Sequence, residues 1–239
     1  MFDSPHRCIN PLTRDDQGHI WFGIADGDSR FDGESWSRFH EEELNLPDDY
    51  ILSLAASPDG RIYAGTLNGA SVWNGVNWSL IRPTQGQAVF SISIPCDGQT
   101  AWFGTETGAG RLEVREVIWT EYPSDAPVKH ILFDSSGTLW AATSGAGLTR
   151  LDRSTSWTYF RTDNSGIANN NVDWVTEVQP SILWIGTAPS SNVGGAAVRF
   201  DGQNWHTYLT NNSGASGVEV TVIAVQNDQV WRGDAYCRD

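Results

Sequence analysis

Six short apolar segments, each built around one aromatic residue, recur along this chain of 239 residues. The aromatics are Trp21, Tyr63, Trp102, Trp140, Trp184 and Trp231, at spacings of 42, 39, 38, 44 and 47 residues. Tyr63, Trp102 and Trp184 are followed by Gly-Thr, and every anchor but the last by a turn and a second tryptophan. A period of roughly 40–50 residues is that of a solenoid, propeller or other array, in which one unit cannot bury its apolar face alone and must be covered by its neighbours.

Each unit divides into four short segments. The first is an alternating apolar run that ends in a turn, as in Ile51-Leu52-Ser53-Leu54-Ala55-Ala56-Ser57-Pro58-Asp59-Gly60. Phe90 to Gly98, Ile131 to Gly137, Val172 to Pro180 and Val220 to Asp228 occupy the same slot, and Ile9 to Gly18 fits it less well. Asp-Gly and Ser-Gly at the end of such runs signal hairpins, because glycine accepts positive φ. The second segment is the anchor, for example Leu183-Trp184-Ile185-Gly186-Thr187. Successive side chains of a strand point to opposite faces, and here both faces are apolar, so the anchor strands are expected to be covered on both sides. The glycine two places after the aromatic is expected to clear space for a neighbouring unit. Ala142 takes that place in the fourth unit, and in the sixth Arg232 precedes Gly233, which predicts one uncovered face there. The third segment carries Asp32-Gly33, Asn74-Gly75 and Asp201-Gly202, further hairpin signals. The fourth opens at the second tryptophan (Trp36, Trp78, Trp119, Trp157, Trp205) and alternates aromatics with Ser or Thr, the pattern of an outer strand with one wet face.

Four strands per unit, repeated radially, define an all-β fold: a β-propeller of four-stranded antiparallel blades, five full blades plus an incomplete sixth. The expected organisation is a single propeller domain over 1–239, with blades at about 9–40, 50–82, 89–122, 129–161 and 172–209 and a partial blade at 218–239. Asp234 to Asp239 is too short to complete the sixth. Closure is expected to come from residues 1–8 adding a strand, from further blades of a longer array, or from association between chains.

Composition narrows the function classes. The 12 Trp, 9 Phe and 6 Tyr supply a large apolar area, at roughly 150–250 Å² per ring buried. Fifteen basic residues against 29 acidic give a net charge of −14, a field that repels nucleic acid and anionic lipid and suits a neutral or cationic ligand. No stretch approaches the roughly 18 apolar residues of a membrane span. The opening Met1-Phe2-Asp3-Ser4-Pro5-His6-Arg7-Cys8 lacks the apolar region of a secretory signal. The chain is therefore expected to be cytoplasmic, or else periplasmic or extracellular if it is a piece of a sensor exported by an upstream signal. Three cysteines make no disulfide framework, and no Cys-x-x-Cys or His-x-x-x-His spacing suggests zinc.

The units resemble the propeller repeat of two-component regulators, found in the sensor portions of bacterial hybrid histidine kinases. The family unit looks like Asp-x-x-Gly-x-Leu-Trp-Ile-Gly-Thr, then Gly-Leu, an aromatic-Asp-Gly turn, Trp and an aromatic. Ser136-Gly137-Thr138-Leu139-Trp140-Ala141-Ala142-Thr143 with Gly147-Leu148 matches it, as does Leu183 to Thr187 with Arg199-Phe200-Asp201-Gly202 and Trp205. The linkers Asn164-Ser165-Gly166-Ile167, Asn171-Val172 and Asn212-Ser213-Gly214 match too. The resemblance spans nearly the whole chain and implies a sensor-type propeller in bacterial signal transduction. Family sensors usually carry more blades, a second propeller, a membrane span and a kinase. More distantly the units are similar to those of streptogramin lyases, propellers whose Gly-Pro-Asp-Gly-x-Leu-Trp-Phe-Thr pattern is matched only by Ser57-Pro58-Asp59-Gly60. In that family a metal and a catalytic His sit at the central face, and no His of this chain can be assigned to the role.

The search for chemistry yields no motif that calls for a cofactor or a metal and no catalytic residue. Gly108-Ala109-Gly110 and Gly145-Ala146-Gly147 lack the third glycine and the following helix of a nucleotide loop and are read as turns. No Gly-x-Ser-x-Gly elbow is present. His19 and His206 fall on a turn and an outer strand, His40 heads an acidic run, and His130 precedes an inner strand. Because the first and second strands of a blade run antiparallel, the start of one and the end of the other share a face with the inter-blade loops. Loops on a rigid scaffold commonly carry binding. The candidate ligand-binding residues on that face are Asp48, Asp49, Tyr50, Gln87, His130, Asn170, Asp173, Trp174 and Asn192. The same placement brings Cys8 and Cys237 to one face of neighbouring blades as a candidate disulfide, which implies an oxidising compartment.

The expected function is a non-catalytic ligand-binding or protein-interaction propeller, taking a small molecule, glycan or protein at the loop face. Recognition there is expected through hydrogen bonds from Asn, Asp and Gln and stacking on Tyr50 or Trp174. Two other classes stay open: a lyase or hydrolase on the same scaffold, and a carbohydrate-binding lectin, since repeated aromatics beside amides suit sugars. Fold alone does not choose among them.

Overall fold

A computed structural model describes residues 11–24, 27–39, 46–151, 156–189, 195–209, 220–226 and 229–234. The chain divides into two compact units, Met1–Pro123 and Ser124–Asp239. The described backbone is almost entirely sheet, with one short 3₁₀ turn at Arg82–Thr84.

The first unit holds three antiparallel sheets of four strands, each laid out in chain order. These are β1 Leu12–Arg14, β2 Ile20–Ile24, β3 Gly27–Phe31 and β4 Trp36–Phe39; β5 Ile51–Ala56, β6 Ile62–Thr66, β7 Gly69–Trp73 and β8 Trp78–Leu80; and β9 Val89–Ser93, β10 Thr100–Thr105, β11 Gly108–Glu113 and β12 Ile118–Pro123. The second unit holds two such sheets. They are β13 Val128–Phe133, β14 Leu139–Thr143, β15 Gly147–Leu151 and β16 Trp157–Phe160; and β17 Val172–Gln179, β18 Ile182–Thr187, β19 Ala196–Phe200 and β20 Trp205–Tyr208. A hairpin of β21 Val220–Gln226 and β22 Gln229–Asp234 follows. Up-and-down sheets of four strands are propeller blades, so there are five blades and the two-stranded start of another. The sequence placed Gly108-Ala109-Gly110 in a turn, and the structure places it in β11. The segment pairs with strands on both sides, Gly110 opposite Phe103 and Glu121, and glycine stands there because a Cβ on Gly110 would lie 2.0 Å from Cζ2 of Trp119 on the adjoining strand.

The anchors explain how blades seal. Trp21 stacks on Phe39 of its own blade at 5.3 Å and meets Trp73 and Trp78 of the next blade at 6.0 Å each. Trp140 repeats this in the second unit, stacking on Phe160 at 5.7 Å and meeting Phe200 at 6.1 Å, with Trp205 packed against Phe160 at 5.4 Å. Burying each large ring contributes about 1.5–3 kcal/mol, and favourable ring pairs add about 0.5–1.5 kcal/mol. The expected clearance by the anchor glycines is real. A Cβ on Gly23 would lie 2.6 Å from Cγ2 of Ile51, and one on Gly65 would lie 2.7 Å from the Val89 carbonyl oxygen, both in the following blade.

Two further repeat residues have defined jobs. The Asp134 carboxylate accepts hydrogen bonds from the Ser136 and Thr138 amides at 2.9 Å each and from Trp140 Nε1 at 2.9 Å, so it closes the turn and fixes the anchor indole. Asp15 does the same for His19 and Trp21 at 2.8 and 2.9 Å. In the second blade, where Tyr63 replaces Trp, Ser57 replaces the acid; a phenol has no ring N–H for it to accept. The Thr after the anchor closes the next turn. Oγ1 of Thr66, Thr105 and Thr143 donates to the carbonyls of Gly69, Gly108 and Gly147 at 2.9, 3.0 and 2.6 Å.

Candidate functional site

From the second blade onward, the ends where the first strand begins and the second finishes share a backbone irregularity. Pairing jumps from Ile51 to Ser53 opposite β6, from Val89 to Ser91 opposite β10, from Val128 to His130 opposite β14, from Val172 to Trp174 opposite β18 and from Val220 to Val222 opposite β22. Leu52, Phe90, Lys129, Asp173 and Thr221 are therefore bulge residues, one on the inner strand of every unit after the first blade, where β1 pairs with β2 without a shift. A bulge bends its strand and re-aims the side chains beside it. The third residue of each of these five strands is thus turned by the same device, and its identity sets what that position can do.

In the first unit that residue is serine twice. Ser53 and Ser91 are buried. Ser53 Oγ donates to the Val89 carbonyl oxygen of the following blade at 3.2 Å, and Gly65 leaves it room. In the second unit the position holds His130 and Trp174. Their rings lie 3.8 Å apart between centroids and 30° from parallel. Each residue keeps partial exposure, yet Nδ1 of His130 and Nε1 of Trp174 are covered and have no hydrogen-bond partner. Trp174 also packs with Trp184, Tyr208 and Ala197.

Burial holds the His130 ring well below the usual imidazole value, at about 4, and a hydrogen bond with the Val175 backbone opposes this. Trp174 Nε1 presents an N–H that no described group accepts.

The other predicted residues are dispersed. Asp48 accepts from the Tyr50 amide at 2.7 Å, and Tyr50 is exposed at the head of β5. Asp49 is half-buried beside them. Gln87 accepts from Thr107 Oγ1 at 2.8 Å and so ties two loops of the first unit together. In the second unit Asn170 is engaged by backbone: its carbonyl oxygen accepts from Gly145 and Gly147 at 3.1 and 2.9 Å, and Oδ1 accepts from the Thr162 amide at 3.0 Å. Asp173 is the bulge residue next to Trp174. Asn192, Cys8, Cys237, His6 and His40 lie outside the described residues, as does the Arg232 side chain. His19 is taken up by the Asp15 turn through a 2.9 Å contact. Among the described residues no group of three or more His, Cys, Asp or Glu side chains could hold a metal ion. No described helix is long and apolar enough to cross a membrane.

Two features escaped the sequence reading. One is the bulge, which only the strand register reveals. The other is the Arg opposite the anchor: Arg30, Arg111 and Arg150 lie over Trp21, Trp102 and Trp140 at 5.5, 5.9 and 5.6 Å. The recurring Arg in the third segment was the available signal.

The fold defines a class, the β-propellers, and solved structures bear this out. The extracellular domain of BT4673 from B. thetaiotaomicron, assigned as a one component system, matches with a TM-score of 0.67 at 17% identity, over 95% of this chain and 38% of that one. Virginiamycin B lyase from Staphylococcus aureus matches with a TM-score of 0.63 at 16% identity, over 97% of this chain and 93% of that one. YCF48 bound to D1 peptide matches with a TM-score of 0.68 at 15% identity, over 97% and 76%. This chain thus spans little more than a third of the sensor domain it is similar to. No family model matches the sequence, and no curated protein does.

Proposed function

We propose that this chain is a non-catalytic binding propeller of the sensor type, with recognition at the bulged ends of its inner strands. The observation that supports this reading is the His130–Trp174 ring pair, where two ring nitrogens sit covered and unpaired. Such groups are rare in native interiors, and each calls for an explanation. Similarity to sensor extracellular domains supports the same reading. The other proposed binding residues are Asp48, Asp49, Tyr50 and Gln87 within the first unit and Asn170 and Asp173 within the second, each unit taken by itself, with Asn192 outside the described residues; the proposed domain organisation is a single propeller over 1–239. A thermal-shift screen of peptides, glycans and small neutral metabolites tests the proposal. A specific ligand at 100 times its Kd stabilises by about 2.7 kcal/mol, and Trp174→Ala should abolish that shift. Ligands whose shift survives in Trp174→Ala, or silence across all three classes, would overturn it.

A second reading is a lyase-like enzyme, favoured by the near-complete mutual coverage with virginiamycin B lyase. Chromatography of quinupristin, the compound named with a related lyase structure, before and after incubation with the chain decides it. Conversion lost in His130→Phe would establish the enzyme; an unchanged elution profile would end that reading.

A further inference from the structure

We propose that the face of the first blade opposite Trp21 is an interface between two copies of this chain, which meet through it about a two-fold axis. The inference is separate from the ligand reading above and stands or falls without it.

Strand register defines the face. Leu12, Phe22, Ser29 and Arg38 stand opposite one another across β1 to β4, and so do Arg14, Ile20, Phe31 and Trp36. Residues paired across strands point to the same side of a sheet. Trp21 and Phe39 lie on the other side, where they pack on Trp73 and Trp78 of the second blade. The second blade's counterpart of the Trp36 row is Ile62, Trp73 and Trp78, all buried beneath those rings. In the first blade Leu12 is 64% and Trp36 52% exposed, and Ile20, Phe22 and Phe31 are only half-buried. An apolar patch of this kind, rimmed by polar groups, marks an interaction site.

The occupant follows from the repeat and from charge. What covers the second blade is a sheet face that presents aromatic rings. The open face of the first blade is itself such a surface, with Trp36 against Phe22 and Phe31 at 5.3 and 5.0 Å. A second copy therefore supplies the matching chemistry, and a two-fold dimer uses one patch on both sides. The chain carries a net charge of −14, yet the two rows hold Arg14 and Arg38 and no acid, while the turn with Asp32 and Glu34 borders Trp36. A two-fold axis along the strands lays Arg14 of each copy over the partner's Trp36; an axis across the strands lays Arg38 there. Either axis brings an arginine to a tryptophan ring and to the partner's acidic turn. The repeat already makes the first of these contacts within the chain, as Arg30 does over Trp21 at 5.5 Å. One blade face gives an interface under about 1,200 Å² in total, so the dimer is transient and its share rises with concentration.

Sedimentation velocity of the whole chain tests the proposal. Wild type should pass from monomer to dimer, and no further, as its concentration rises. Trp36→Lys should raise the dissociation constant about tenfold or more, as loss of a central aromatic does. One of Arg14→Glu and Arg38→Glu, whichever arginine the axis uses, should weaken the dimer about fivefold or more, and Glu34→Arg should do the same, because each sets like charges against one another across the interface. Mixing those two variants restores both cross-chain pairs and should return the association to near its wild-type strength. The mixture decides the matter even if Trp36→Lys disturbs the fold. A chain that stays monomeric at every soluble concentration would overturn the proposal and leave the face to a different partner. Assembly beyond the dimer, a dimer indifferent to Trp36→Lys, or a mixture that fails to recover would overturn it too.

Discussion

The two units build the same strand ends and put opposite chemistry on them. In the first, Ser53 follows the bulge, and its hydroxyl is spent on a backbone carbonyl 3.2 Å away. In the second, His130 and Trp174 follow the same bulge, and each keeps one polar atom unspent. The backbone is thus a constant and the third residue a variable. A small residue there closes the inter-blade seam. A large aromatic leaves unmet hydrogen-bonding capacity. Buried groups of that kind cost about 1–3 kcal/mol each, so the second unit carries a burden that the first avoids.

The largest effect should come where the units agree. Trp21→Ala and Trp140→Ala each remove the anchor ring from an aromatic quartet, and each should lose about 3–5 kcal/mol in urea unfolding. Unequal losses would break the view that both units seal their blades alike.

The next effect separates them. The His130 value of about 4 lies below the ordinary 6.5, so on acidification the unfolded chain takes up the proton first. Stability should be full above pH 6.5, decline between 6.5 and 4, and lose at most about 3 kcal/mol from this group. His130→Phe should flatten that slope. The turn carboxylates act lower. Burial pushes Asp15 and Asp134 up, but bonds from the indoles, the neighbouring amides and adjacent side chains outweigh it, and both lie below the usual 3.8. Amides of Ser35 and Glu34 hold Asp32 at about 2. Their contribution is kept above pH 3.8 and lost toward pH 2, in both units. A pH–stability profile of wild type with no decline above pH 4 would sink the distinction.

A smaller contrast lies at the anchor glycine. Gly65→Ala would place a methyl 2.3 Å from Ser53 Oγ and 2.7 Å from a backbone oxygen, and overpacking of this kind should destabilise by about 1–3 kcal/mol. Ala142 fills the equivalent place in the second unit and is fully buried, so Ala142→Gly should cost about 1 kcal/mol through lost packing and added chain freedom. Thermal denaturation of both variants checks the pair.

The smallest effects have opposite signs. Ser53→Ala should lose about 1 kcal/mol with its hydrogen bond. His130→Phe removes an unpaired nitrogen, and at neutral pH should be level with wild type or more stable by up to about 1 kcal/mol. A clear loss in His130→Phe would mean that the imidazole is spent within the fold.

The repeat and the strands were legible in the sequence because they depend on residues near one another in the chain, and the glycine clearances because a repeat implies a neighbouring blade. Leu139-Trp140-Ala141-Ala142-Thr143 announces its strand, and Asp134 its turn, within ten residues. The ring pair was legible only as two separate candidates. His130 and Trp174 are 44 positions apart (174 less 130), and their contact depends on a bulge that no local pattern encodes. Asn170 misled for a related reason: an amide in a polar loop reads as available, and only the fold shows its oxygens accepting from Thr162, Gly145 and Gly147.

Trp36, the second tryptophan of the first blade, is 52% exposed, whereas its counterpart Trp78 is 1% exposed. It is the most accessible of the described tryptophans. The chain therefore contains its own optical probe: a red-shifted emitter that acrylamide quenches ahead of the rest. Anything that settles on that side of the first blade will announce itself as a blue shift and a loss of quenching, with no label attached.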